Sequence, residues 1–300
     1  MLEKYTDLAL ESHELHAERG EDDGIIMREY SVYGRRVTRA TVLPGEGEKR
    51  AGKPAGRYIT VESGKFWLAD GAEFENAAEA ISAELKKLLP QGSGCVLAAG
   101  LGNRDITADS IGPRCVEKLL VTRHLREMAP ELYAGAGFSE LAAVAPGVLG
   151  QTGIESAAIV EGVCRMIKPK CVIVIDSLAS RRLERLCTTV QLSDSGISPG
   201  SGVFNRRAEL NSRTLGAPVV SVGVPTVVDA ATLALDLFDA AGASIPREAA
   251  EKLANGGGGS LFVTPKDSDI SARETARLIA YSINSAVHGI KISEMSDYMR

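Results

Sequence analysis

At 300 residues, with 44% hydrophobic and 24% charged side chains, the chain has globular composition, enough length for one large domain or two small ones, and enough apolar mass for a full core. A formal charge of -5 leaves no surplus of Lys and Arg for a phosphate backbone, and no window approaches the roughly 18 unbroken apolar residues of a membrane span, so neither nucleic acid nor membrane is an expected partner. The start, "MLEKYTDLALESHELHAERG", has acids where an export signal has a basic head and an apolar centre, which predicts a cytoplasmic protein.

In chain order, a short N-terminal helical piece carries His13 and His16 in "SHELH", which is not the H-E-x-x-H zinc pattern and predicts a solvated face. "REYSVYGRRVTRATVLPG" and "GRYITVES" read as strands of an antiparallel ribbon, joined by a charged, glycine-rich connection. "FENAAEAISAELKKLLP" places Ala77, Ala80, Ile81, Leu85 and Leu88 on one helical face and stops at Pro90.

From there strands and helices alternate. Branched apolar runs at Cys95 to Ala99, Leu141 to Ala145, Cys171 to Ile175 and Val219 to Val222 predict buried strands. Helices are expected at Pro113 to Leu125, Ser156 to Ile167 and Asp229 to Phe238. Continuous apolar strands suit a sheet covered on both faces, and the alternation predicts parallel βαβ units. "NGGGGS" at Asn255 to Ser260 reads as a loop, "LFVTPK" as a short strand, and "ISARETARLIAYSINSAVHG" as a last amphipathic helix. The fold class is therefore α/β, a doubly wound, mostly parallel sheet with an N-terminal β extension.

Five cysteines without a C-x-x-C pair predict buried, reduced thiols. "RRLER" at Arg181 to Arg185 reads as a solvated helix face.

In a doubly wound sheet the loops at the carboxyl ends of the strands line the functional crevice. "CVLAAGLGNRDITADSIGP" ends its strand in Gly100 and Gly102, but Asp105 stands where a G-x-G-x-x-G phosphate loop needs glycine, and no P-loop lysine follows. The glycines then serve a tight turn. Asp109 in that loop and Asp176 at the end of "CVIVID" sit on one predicted sheet edge, where two close carboxylates would share a proton and activate water for peptide hydrolysis. Asp105 and Asp194 compete with them, and on spacing alone capping or turn roles are the better account of Asp109 and Asp176. No G-x-S-x-G places a serine nucleophile.

"GLGNRDITADSIGPRCVEKLLVTRHL", "VIVIDSLASRRLERLCTTVQLSDSGISPGSGV", "LGAPVVSVGVPTVVDA" and "FVTPK" together resemble the spore germination protease family of endospore-forming bacteria, over nearly the whole chain. The resemblance implies an endopeptidase of the forespore and spore core that degrades small acid-soluble spore proteins. It also implies a zymogen that removes its own N-terminus, a homotetramer, no cofactor and no bound metal, and a catalytic pair that falls on Asp109 and Asp176. "TDLALE" resembles the sites this family cuts and puts the scissile bond between Asp7 and Leu8. The expected organisation is a propeptide, 1–7, then one peptidase domain, 8–300, made of the β extension, 8–70, and the core, 71–300. Two departures are Phe204, where the family pattern has glycine, and Arg104, where it has an aromatic residue. The loop pattern is also similar to the hydrogenase maturation endopeptidases, which share a related α/β fold and would use the two acids as metal ligands. A non-enzymatic α/β binding module is the third reading.

Overall fold

The branched apolar runs become one half of a single mixed sheet. A computed structural model of the chain describes residues 5–17, 24–197, 208–243, 249 and 261–298. The tract at 255–260 and Phe204 lie outside the described residues.

Five segments alternate or run apolar through the core: β4 (Val96–Gly100), β5 (Leu141–Val144), β6 (Cys171–Ser180), β7 (Thr189–Ser193) and β8 (Val219–Asp229). Ahead of them stand β1 (Ile25–Val32), β2 (Arg35–Val42) and β3 (Gly56–Glu62), and β9 (Phe262–Val263) comes last. The order across the sheet is β1-β2-β3-β7-β8-β6-β4-β5, with β9 paired to β8. The pairs β5 to β4, β4 to β6 and β6 to β8 are parallel, as the alternation predicts, and the remaining pairs are antiparallel.

The first ribbon segment is itself a hairpin. Tyr33 and Gly34, both at positive φ (48° and 72°), form the two-residue reversal whose twist matches the right-handed twist of paired strands. The connection after β2 holds a short helix, Glu46–Ala51. Through β7 the extension is continuous with the core, because β3 pairs with β7 and β7 with β8.

Side-chain alternation divides the layers. On one face Ile173, Ile175, Val190, Leu192 and Val222 meet two helices, Gly71–Leu88 with Ile81 and Leu85, and Ser268–His288 with Leu278, Ile279 and Ile283. On the other, Leu97, Val172, Val174 and Val219 meet Val160 and Cys164 of the helix Ser156–Ile167. A third cluster packs Ala9 of the N-terminal helix (Ala9–Ala17) on Ala40, Val42 and Tyr58. Losing one such large side chain to Ala costs about 2–5 kcal/mol.

The single helix expected over Pro113 to Leu125 is two, Ile111–Val116 and Arg123–Met128. Polar groups of the long last helix replace the missing helical bonds between them. Buried Asn284 accepts from the Leu120 N–H at 2.9 Å and donates to the Lys118 carbonyl at 3.2 Å, and His288 Nε2 meets the Leu120 carbonyl at 2.9 Å.

All five cysteines are free and buried. Burial pushes the thiols of Cys95, Cys171 and Cys187 up to about 11. Among the described residues no helix is long and apolar enough to cross a membrane.

Candidate active site

The sheet ends unevenly where the two candidate acids stand. β4 pairs with β6 as far as Gly100 opposite Ile175, and the next residue, Leu101, donates its N–H to the Ile175 carbonyl at 2.8 Å. β6 continues past that point, paired with β8 to Ser180. Asp176 is therefore inside a strand, at the first position where β6 outruns β4, and not at the strand end that the apolar run suggests.

Backbone contact explains the two glycines. A Cβ on Gly100 would sit 2.2 Å from the Gly112 carbonyl oxygen, so the strand exit and the helix start touch. Gly102, at φ +111°, would meet the Asp109 carbonyl oxygen at 2.1 Å and its Oδ1 at 2.8 Å. These glycines seat a short 3-10 turn, Thr107–Asp109, against the end of β4. Thr226 of β8 fastens the same turn through its Oγ1 to the Ala108 carbonyl at 2.6 Å, and Thr107 Oγ1 donates to Asp269 Oδ1 at 2.9 Å.

Both candidate acids accept backbone donors. Asp109 Oδ2 takes the Asn103 N–H at 2.8 Å, a bond within the turn and not to the helix that follows. Buried Asp176 takes the N–H of Ser177 on Oδ1 at 2.9 Å. Beside it the enclosed Ser177 hydroxyl has no hydrogen-bond partner among the described residues.

The rival acids have other surroundings. Asp105 is exposed and faces the Gln151 amide at 3.4 Å. Asp194 is clamped by Arg57, whose backbone N–H and Nε each reach it at 2.7 Å. Arg104 reaches out to pair with Glu117. Among the described residues no group of three or more His, Cys, Asp or Glu is gathered as metal ligands would be.

Asp7 and Leu8 lie against the far end of β6. The Asp7 N–H donates to the Ala179 carbonyl at 2.9 Å, and Leu8 is fully buried. A cavity of about 150 Å³ opens beside them, lined by Asp7, Lys53, Tyr58, Gln191 and Glu209 among others. Desolvation pulls the Lys53 ammonium down there, against the carboxylates of Asp7 and Glu11, which hold it up.

Two expectations about charged groups are corrected. Arg181 to Arg185 is not a solvated helix face: Arg181 is buried on Asp236 at 2.8 Å, and Arg185 pairs with Glu11 at 3.0 Å and Glu14 at 2.6 Å. His13 and His16 are half-buried, and His16 Nδ1 meets the Ser12 carbonyl at 2.7 Å.

The family model described as germination protease matches residues 4–256. A germination protease of Caldanaerobacter subterraneus subsp. tengcongensis is 41% identical, with 98% of this chain and 97% of the relative covered. One from Clostridium acetobutylicum is 38% identical, with 98% of each covered. This chain belongs to the germination protease family. It is an endopeptidase of that family. Among solved structures, a nickel–iron hydrogenase maturation protease of Thermococcus kodakarensis is similar at a TM-score of 0.37 and 16% identity, covering 67% of this germination protease and 98% of that chain.

Residues that spacing alone does not single out also gather in this germination protease around Asp7. Gln191 and Arg185 flank the N-terminal segment that carries Glu11, and the signal for Gln191 was the strict alternation of "TVQLS", which puts it on the face opposite Val190 and Leu192.

Proposed function

We propose that this germination protease cleaves peptide bonds with Asp109 and Asp176 as a proton-sharing pair. The observation that supports this reading is the Leu101 to Ile175 hydrogen bond, which sets the exit of β4, where Asp109 is seated, beside the residue that precedes Asp176. Two carboxylates at one sheet edge ionise in separate steps. The ionised one takes a proton from water as its oxygen bonds the peptide carbon. The protonated one gives its proton to the departing nitrogen, leaving a new carboxyl and a new amine.

The substrates in this reading are the small acid-soluble spore proteins, met in the spore core at germination. The enzyme is made as a zymogen, residues 1–7 form the propeptide, and it removes that segment itself at the Asp7–Leu8 bond; the working assembly is a homotetramer. Support comes from the family membership and from the acidic-apolar-alanine order of residues 7–9.

The test is intact mass against time for the full-length protein and its Asp109→Asn and Asp176→Asn variants, alone and with purified spore protein, each with chelator and with added nickel. Loss of residues 1–7 and cutting of spore protein by the wild type alone, unchanged by chelator, is expected. An active double variant defeats the pair, and activity that needs nickel turns the two acids into metal ligands.

A further inference from the structure

The segment around Asp7 is held by groups that match it residue by residue. Asp7 Oδ2 accepts the Ala179 N–H at 2.8 Å while its own N–H reaches back to the Ala179 carbonyl. Leu8 and Ala9 are buried, and Leu10 is half-exposed. Glu11 is wholly buried: it accepts the Arg181 N–H at 2.6 Å, the Arg182 N–H at 3.2 Å and the Ser180 hydroxyl at 3.2 Å, and it faces the Arg185 guanidinium at 3.0 Å. A carboxylate removed from water needs such donors, and a chain shifted by one residue would leave them unpaired. The segment therefore fits in one register.

In that register Gln191 brackets the Asp7–Leu8 bond. Its Oε1 accepts the Ala9 N–H at 2.7 Å, and its Nε2 donates to the Asp7 carbonyl oxygen at 3.3 Å. Gln191 pairs across β8 with Gly223, and Gly223 pairs with Asp176, so Gln191 and Asp176 share a sheet face. They are two strands apart, about 10 Å, and the residue between them, Gly223, carries no side chain and is covered by Leu178.

We infer that Gln191 is a further catalytic residue of self-cleavage, the hydrogen-bond donor to the oxyanion that forms on the Asp7 carbonyl, with Glu11 as a positioning residue that fixes which bond is presented. The inference rests on the self-processing reading. When water adds to the Asp7 carbonyl carbon, negative charge moves to the oxygen and the Nε2–H bond shortens onto it. When the C–N bond breaks the carbonyl re-forms, so Gln191 gains and loses no proton.

The test follows self-cleavage of the full-length protein by intact mass across pH, in the wild type and in Gln191→Glu, Gln191→Met and Glu11→Ala variants, with thermal unfolding as the fold control. Removing one oxyanion donor slows cutting by about 10²- to 10³-fold. Gln191→Glu is expected to show that loss near neutral pH and to recover at mildly acidic pH, where the new carboxyl is protonated and donates again. Gln191→Met, which keeps the volume and lacks the donor, stays slow at every pH. Glu11→Ala spreads the cut over neighbouring bonds. A Gln191 variant that processes at the wild-type rate, or a Gln191→Glu loss that is the same at every pH, overturns the role of Gln191; a single unchanged cut in Glu11→Ala overturns that of Glu11. If the wild type cuts spore protein yet keeps residues 1–7, self-processing itself has failed and this inference falls with it.

Discussion

Gly102 and Asp109 are in backbone contact: an added Cβ on Gly102 would lie 2.1 Å from the Asp109 carbonyl oxygen. Gly102→Ala must both hold a φ of +111° with a side chain and push the Asp109 turn away. The backbone term alone costs about 1–3 kcal/mol. A shift of an acid by one ångström is worth about a hundredfold in rate, so peptidase activity is expected to fall by that order if Asp109 is catalytic as proposed. Steady-state cleavage and thermal unfolding of the variant, measured together, check both parts.

Asp194 has its carboxylate occupied by Arg57, in a pair that is partly open to solvent, with Arg57 43% exposed. Asp194→Asn keeps an oxygen for the Arg57 N–H and loses the charge, at a cost of about 0.5–1 kcal/mol. Cleavage is expected at the wild-type rate. Loss of activity with an intact fold would move the catalytic assignment to Asp194.

His288 links the fold to pH. Burial pulls its imidazole below the ordinary 6.5, against the hydrogen bonds to Leu120 and Ser139 that hold it up. The unfolded chain then takes a proton near 6.5 while the folded one does not, so the stability is fully present above that pH and is lost as pH falls through it toward the folded value. Urea midpoints at about pH 7.5 and 5.5 are expected to differ more in the wild type than in His288→Gln, because that slope belongs to one group.

Leu178 covers Gly223 on the face shared by Asp176 and Gln191. A Cβ there would come within 2.3 Å of Leu178 Cδ1, so Gly223→Ala forces Leu178 out of its place at a cost of about 1–3 kcal/mol. Leu178→Ala opens the space, and the double variant is expected to be more stable than the sum of the single changes predicts. Denaturation of all four proteins measures the coupling.

The parallel core was legible because Cys171 to Ile175 and Val219 to Val222 are continuous apolar runs, a pattern that only a twice-covered strand tolerates. The helix 156–167 kept its sequence bounds for a related reason: its apolar face is unbroken and meets one sheet layer. The break after Val116 was not legible, since the groups that replace its helical bonds, Asn284 and His288, lie more than 160 residues away. The same distance hid the N-terminal clamp. Arg181 and Arg185 have the look of a wet basic run until Asp236, Glu11 and Glu14 arrive to neutralise them. For Asp109 and Asp176 the sequence reading marked the positions, and it gave Gly102 a tight turn without its contact to Asp109; the overrun of β6 beyond β4 follows from pairing with β8 and has no local signature.

The weld at β7 also orders events in time. β3 cannot complete its pairing, and Asp7 and Glu11 cannot meet Ala179, Arg181 and Arg185, until the chain has been made through Ser193. At roughly 5–20 residues per second, the N-terminal segment waits on the order of ten seconds or more on the ribosome before its partners exist. The N-terminal segment is thus placed only after β7 has been made.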